Sequence, residues 1–282
     1  MRVLKRIFRF DRIWMNLSAL ILGAFCLINI ALFANLYLSM FKTNIELFAN
    51  TWGFPQQFNF DNIIKLIEMG FQNYVYNSAI VLVFALFIRI FCASMVAYGL
   101  TRYDFKGRSI LTLFFLVGLM FPAELGIIAL SLMIRDLGLI NTRLGLILVE
   151  AANMSLAVFI LSNFLKTVPK SMSESARIDG ANEFTVFTVI VLPMMRPALG
   201  AVIPLSMIGI WNNLFIPLVL LTREEVKTIP LGLMRFFNAV NPDLSRINLA
   251  FTAIALGTLP MLLLFALGSK QMINGITQGS VK

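Results

Sequence analysis

The chain alternates between long apolar runs and short polar connections, and the runs set its architecture. A helix needs roughly 20 apolar residues to cross the hydrocarbon core of a bilayer. Six runs approach or exceed that length: Ile13–Met40, Tyr74–Leu100, Ile110–Ile134, Leu144–Leu165, Met195–Leu221 and Leu249–Leu267. The predicted fold class is therefore all-α, an integral membrane protein of six transmembrane helices. The first run is too long for a signal-peptide core and lacks a small-x-small cleavage site after it, so it reads as a retained span.

The connections carry the remaining local information. Between the fourth and fifth runs lies a polar stretch, residues 166–193, with its own helix signals. Ser171-x-x-Glu174 reads as a capping box, Gly180 as a left-handed helix stop, Asn182 as a second N-cap, and Pro193 as the end of the second helix. The expected product is a helix–turn–helix lying along the membrane, with Met172, Ala176, Phe184 and Phe187 on its apolar face. Two other connections, 41–73 and 222–248, are long enough to meet a partner. Both hold aromatic and turn residues, such as Trp52-Gly53-Phe54-Pro55 and Asn241-Pro242-Asp243, which serve equally well as interfacial anchors. Pro122, Pro204 and Pro217 are expected to kink their helices.

Composition agrees: 59% of the 282 residues are hydrophobic, 13% are charged, and the mean hydropathy is +0.85. One soluble core cannot hide that much apolar surface, so lipid must surround much of it. The net charge is +9, and its distribution gives it meaning. The N-terminal arm, the connections after the second and fourth runs, and the tail together hold fourteen basic residues against five acidic. The opposite connections hold eight against seven. This bias predicts a multi-pass protein of the cytoplasmic (inner) membrane with both termini cytoplasmic. Glu174, Asp179 and Glu183 offset Lys170 and Arg177, so no nucleic-acid partner is expected.

Several chemistries are excluded. There is no histidine, and Cys26 and Cys92 sit in separate apolar runs, which leaves neither a zinc site nor a disulfide framework. No G-x-x-x-x-G-K-[ST] occurs, so the chain has no P-loop of its own. Three charges fall near the middle of the second, third and fourth runs: Arg89, Glu124 and Glu150. Two readings are open for them, an intramembrane ion pair joining helices or groups lining a solute pathway. Trp211, Asn212 and Asn213 either line such a path or bond to neighbouring helices.

The polar stretch has one more property. Glu174-Ser175-Ala176, three residues, Gly180, nine residues and Ile190-Val191-Leu192-Pro193 stand in the register of the E-A-A…G…I-x-L-P signature of ABC importer permeases, departing from it only at Ser175. The chain resembles that family, and specifically its maltose-type, carbohydrate branch. The branch resemblance also rests on the junction Ala97–Arg108, on Ile178-Asp179-Gly180-Ala181, on Trp211–Leu218 and on the tail Ile276–Lys282. It implies one transmembrane domain over residues 1–282, with a core at 74–270, a coupling loop at 166–193 and a cytoplasmic tail at 271–282. Carried over residue by residue, Glu174, Ser175, Ala176, Asp179, Gly180, Ala181, Leu192 and Pro193 would form the ATPase-coupling element. Gln278 and Gly279 would belong to an ATPase-contacting tail.

The implied activity is sugar or oligosaccharide import by alternating access. The implied partners are a second homologous permease subunit, two ATPase subunits, an external solute-binding protein and membrane lipid. ATP and magnesium would be bound by the ATPase, with no cofactor in this chain and no enzymatic activity of its own. Import of a non-sugar solute by the same kind of machine, or secondary transport without an ATPase, stand as the alternatives.

Overall fold

A computed structural model describes residues 2–121, 123–236 and 246–280, with side chains described for 14–121, 125–236 and 246–266. The expected turn at Asn241-Pro242-Asp243 and the kink at Pro122 lie outside those residues. The described chain is helical, with no strand among the described residues. It divides into two units, Met1–Met69 with Phe236–Leu256, and Gly70–Arg235 with Gly257–Lys282.

The first unit begins with α1 (Arg2–Ser39), whose described part is apolar and exposed along nearly its whole length, as a helix solvated by lipid would be. The connection after it is folded rather than slack. Lys42 is fully buried, and its ammonium donates to the carbonyls of Asn50 and Thr51, both at 3.0 Å. Thr43 caps α2 (Asn44–Ala49). On α3 (Asp61–Glu68), Asn62 donates to the carbonyls of Met40 and Lys42 and accepts from Asn248. Buried polar groups are costly unless paired, and here each pairing pins the loop. Trp52 and Phe54 remain exposed on it.

The second unit is organised around α4 (Phe71–Arg102), which packs against α7 (Arg143–Ala152), α8 (Ser155–Thr167) and α12 (Arg196–Trp211). Its buried positions recur at helical spacing, and four small residues among them, Ala85, Ala93, Ser94 and Ala97, are fully buried. Small residues let helix backbones approach closely where lipid supplies no hydrophobic drive. After α4 come α5 (Arg108–Met120), α6 (Ile127–Asp136), α7 (Arg143–Ala152) and α8 (Ser155–Thr167). The hairpin helix α9 (Ser171–Ile178) leads into a continuous helix made of α10 (Glu183–Thr185), a π-helical stretch (Val186–Val191) and α11 (Leu192–Met194). Beyond it lie α12 (Arg196–Trp211), α13 (Phe215–Leu220), α14 (Ile229–Leu233) and α15 (Ile247–Ser280), the last contributing to both units.

The apolar runs are not six plain rods. Among the described residues three helices are long and apolar enough to span: Trp14–Ser39, Phe71–Arg102 and Ile247–Ala266. The fourth run is bent by 40° where α7 meets α8, at Asn153 and Met154. The third is divided into α5 and α6, and the fifth breaks at Asn212–Leu214 before α13. Pro204 sits inside a continuous α12, and Pro217 lies within the short α13. The breaks at 153 and 212–213 carry asparagines rather than prolines.

Candidate functional site

The polar hairpin forms, with two local corrections. α9 ends in a Schellman motif. Gly180 takes φ +86°, its N–H bonds the Arg177 carbonyl at 3.1 Å, and the Ala181 N–H bonds the Ala176 carbonyl at 3.0 Å. Asn182 then caps the second helix, its Oδ1 accepting the Thr185 N–H at 2.8 Å. The capping box at Ser171 does not form. Lys170 already has helical dihedrals (φ −69°, ψ −29°), so Ser171 lies inside α9, whereas a capping side chain needs an extended backbone at its own position. Pro193 does not end the second helix, which runs on to Met194 before a 79° bend into α12. The proline follows the π-helical stretch, where the Leu192 N–H bonds the Phe187 carbonyl five residues back. Such a widened turn relieves the clash a proline ring makes with the preceding turn.

The expected apolar face divides in two. Ala176 and Phe187 are buried, while Met172 and Phe184, together with Ile178, are exposed. Glu174, Ser175, Asp179 and Gly180 are also exposed, and Ala181, Leu192 and Pro193 are half-buried. The hairpin thus presents an apolar and acidic outer edge while its inner side packs on α4. Phe187 meets the rings of Phe91 and Tyr98 at centroid distances of 6.0 and 5.6 Å.

A polar cluster that motif matching does not show holds the inner side. Arg177 Nε donates to Glu183 Oε1 at 2.6 Å, and its Nη2 reaches Glu183 Oε2 and the Tyr98 hydroxyl, both at 3.2 Å. The Tyr98 hydroxyl donates to Glu183 Oε2 at 3.0 Å, and the Tyr103 hydroxyl donates to the same oxygen. Arg177 and then Tyr103 hold the Glu183 carboxyl far below the usual carboxylate range, at about 2. The same contacts push Arg177 up. Arg102 Nη2 adds a bond to the Val168 carbonyl, where the chain enters the hairpin.

Within the helices, the structure brings Arg89, Glu150 and Asn213 together. Arg89 is 6% exposed and Glu150 1%. Arg89 Nη2 lies 3.2 Å from Glu150 Oε2, and its Nε donates to the Glu150 carbonyl at 2.9 Å. Asn213 Nδ2 donates to Glu150 Oε1 at 2.7 Å, while its Oδ1 accepts the Ile216 N–H and so caps α13. Trp211 is buried and donates to the Gly257 carbonyl, and Asn212 is exposed. The side chains of Glu124 and Gln278 lie outside the described residues, and at Gly279 only the backbone of α15, which runs to Ser280, is described. Among the described residues no group of three or more acidic or thiol side chains converges as a metal site would.

The other end of α4 is equally tied. Asn77 Nδ2 donates to the carbonyls of Glu225 and Lys227 and its Oδ1 accepts from Arg143, while Ser78 accepts the Ile229 N–H. Asn141, with φ 60°, offers one Oδ1 to the Thr222 and Arg223 N–H groups.

Comparison with known proteins places this architecture. The family model of the binding-protein-dependent transport system inner membrane component matches residues 89–272. The probable ABC transporter permease protein YurM of Bacillus subtilis is 31% identical over 87% of this chain and 81% of its own length. The arabinooligosaccharides transport system permease protein AraQ of the same organism is 33% identical over 81% and 80%. The diacetylchitobiose uptake system permease protein NgcG of Streptomyces coelicolor is 30% identical over 87% and 82%. In fold, the chain superposes with a TM-score of 0.80 and 23% identity on a chain in the crystal structure of a bacterial ABC transporter involved in the import of the acidic polysaccharide alginate. That match covers 93% of this chain and 97% of the other. These relatives are permeases, transport components rather than enzymes, and the chain belongs to the family of binding-protein-dependent transport system inner membrane components, the permease subunits of ABC importers.

Proposed function

We propose that this permease imports a sugar or oligosaccharide, with residues 166–193 as the element that couples it to a separate ATPase. The observation that carries the coupling reading is the hairpin itself. It is closed at one turn by a Schellman motif and an asparagine cap, and it presents Glu174, Met172, Ile178 and Phe184 outward. Exposed apolar residues gathered on one cytoplasmic edge suit a protein surface better than headgroups. The arabinooligosaccharide and diacetylchitobiose systems of the relatives support the sugar class.

In this reading residues 1–282 form one transmembrane domain with its core at 74–270 and its tail at 271–282. Six spans cross the cytoplasmic membrane, with both termini inside. The long helices, the bent α7–α8 pair, α5 with α6, and α12 with α13 supply them. A second permease and two ATPases complete the membrane complex, and an external binding protein delivers solute. ATP and magnesium reside on the ATPase. ATP-driven closure moves the hairpin, and the helices pass between inward-open and outward-open states. Arg89, Glu150 and Asn213 act as a clamp between helices rather than as a solute site, since each is engaged by another. Of the path candidates with described side chains, Asn212 alone is exposed.

The test is twofold. Glu174→Lys and Gly180→Val complexes should insert yet lose ATPase co-purification and uptake, and normal uptake in both would refute the coupling role. Binding of an oligosaccharide panel to the cognate external protein should show micromolar or tighter affinity for at least one sugar. Affinity confined to non-sugar solutes would overturn the substrate class.

A further inference from the structure

Three attachments join the cytoplasmic hairpin to the last turns of α4, at the hairpin's entry, its first helix and its second. Arg102 holds the Val168 carbonyl, Arg177 reaches the Tyr98 and Tyr103 hydroxyls, and Glu183 accepts from both tyrosines. Beneath them Phe187, 3% exposed, is wedged against Phe91 and Tyr98. The Arg177 guanidinium also stands 5.8 Å over the Tyr103 ring. A loop merely resting on the membrane surface needs no such joint. Two hydroxyls and one guanidinium converging on a single carboxylate make directional, charge-assisted bonds that fix orientation as well as distance.

We propose that Tyr98 and Tyr103, acting through the Arg177–Glu183 pair, are positioning residues that lock the hairpin to α4, so that hairpin and α4 move as one body in the transport cycle. The proposal rests on the coupling reading above and adds the route by which motion leaves the hairpin. Along the uninterrupted α4, Arg89 lies nine residues from Tyr98, about 13 Å at 1.5 Å per residue. There it grips Glu150, three residues before the break between α7 and α8, and Glu150 grips Asn213 at the break between α12 and α13. A push on the hairpin is thereby delivered to two places where helices are already interrupted, which is where a rigid rod can do mechanical work on a helix bundle.

The experiment uses the whole complex in lipid vesicles with its ATPase and binding protein. Tyr98→Phe with Tyr103→Phe removes the hydroxyls and keeps the rings. The expected result is unchanged ATPase co-purification, continued ATP hydrolysis, and a fall of about fivefold or more in solute moved per ATP. A second variant, Tyr103→Cys with Glu183→Cys in a Cys26→Ser, Cys92→Ser background, should show the same deficit when reduced. Bridging its thiols with a flexible bis-maleimide should restore the yield per ATP. A merely structural role predicts no such rescue. Unchanged yield in the phenylalanine pair, loss of its ATPase, or a block on bridging would each overturn the proposal. Should the cysteine pair fail to express, the phenylalanine pair decides alone. The coupling reading stands or falls separately, on Glu174→Lys and Gly180→Val: uptake retained in those variants would sink it whatever the tyrosines do.

Discussion

Arg89 spends its hydrogen bonds on one residue, the Glu150 side chain and carbonyl, and Glu150 returns its second oxygen to Asn213. Removing one member of such a buried pair leaves a charge without a partner, at a cost of about 3–5 kcal/mol, whereas replacing both with apolar residues is often nearly neutral. Arg89→Met alone should therefore lower the yield and thermal midpoint of the solubilised complex, and Arg89→Met with Glu150→Met should recover most of the loss. Additive losses in the double variant would contradict the clamp. Glu183 behaves differently because it is half exposed. Its folded pKa of about 2 lies below the ordinary carboxylate value near 4.3, so its contribution is fully present above that value and is lost only as pH falls toward 2. The infrared carboxylate band absent from Glu183→Gln should persist at pH 4, and its disappearance between pH 6 and 4 would contradict the network. The sequence shows Arg89 and Glu150 as misplaced charges, since composition exposes any charge inside an apolar run. It does not show Tyr98 or Tyr103 meeting Glu183 more than 75 residues away, because a tyrosine at a helix end suits lipid, water or protein equally.

At the scale of the element, the hairpin turn depends on one dihedral. Gly180 has φ +86°, and a Cβ added there meets nothing within 4 Å. The constraint is therefore on the backbone, not on space. A β-branched residue pays about 1–2 kcal/mol for left-handed backbone, while asparagine adopts it readily. Gly180→Val should weaken ATPase co-purification and uptake, and Gly180→Asn should stay close to the unmodified complex. Equal loss in both would mean that bulk at the docking surface, and not the turn, is what matters. Helix ends set by one residue's own chemistry, such as Gly180 and Asn182, can be read from sequence. Those set by a neighbour cannot, and the helical dihedrals of Lys170 displace the start that Ser171 and Glu174 suggest. Apolar runs likewise report length without continuity, so the breaks at Asn153–Met154 and Asn212–Leu214 go unseen.

For the whole molecule the decisive question is which way it faces, and α4 gives the charge bias a physical scale. Asn77 holds the carbonyls of Glu225 and Lys227 near one end of the helix, and Tyr98 holds the hairpin near the other. The rise of 21 positions from Asn77 to Tyr98 spans about 31 Å at 1.5 Å per residue, close to the ~30 Å hydrocarbon core. The two loops therefore lie a bilayer apart, and the basic excess around the hairpin predicts a cytoplasmic side for it. Exposed positions are available at both, Ile178 on the hairpin and Glu225 on the opposite loop. In the Cys26→Ser, Cys92→Ser background, Glu225→Cys should react with a membrane-impermeant maleimide in intact cells. Ile178→Cys should react only after the membrane is opened and the ATPase removed. Labelling of Ile178→Cys from outside, with Glu225→Cys protected, would invert the topology and with it the assignment of the hairpin to an ATPase.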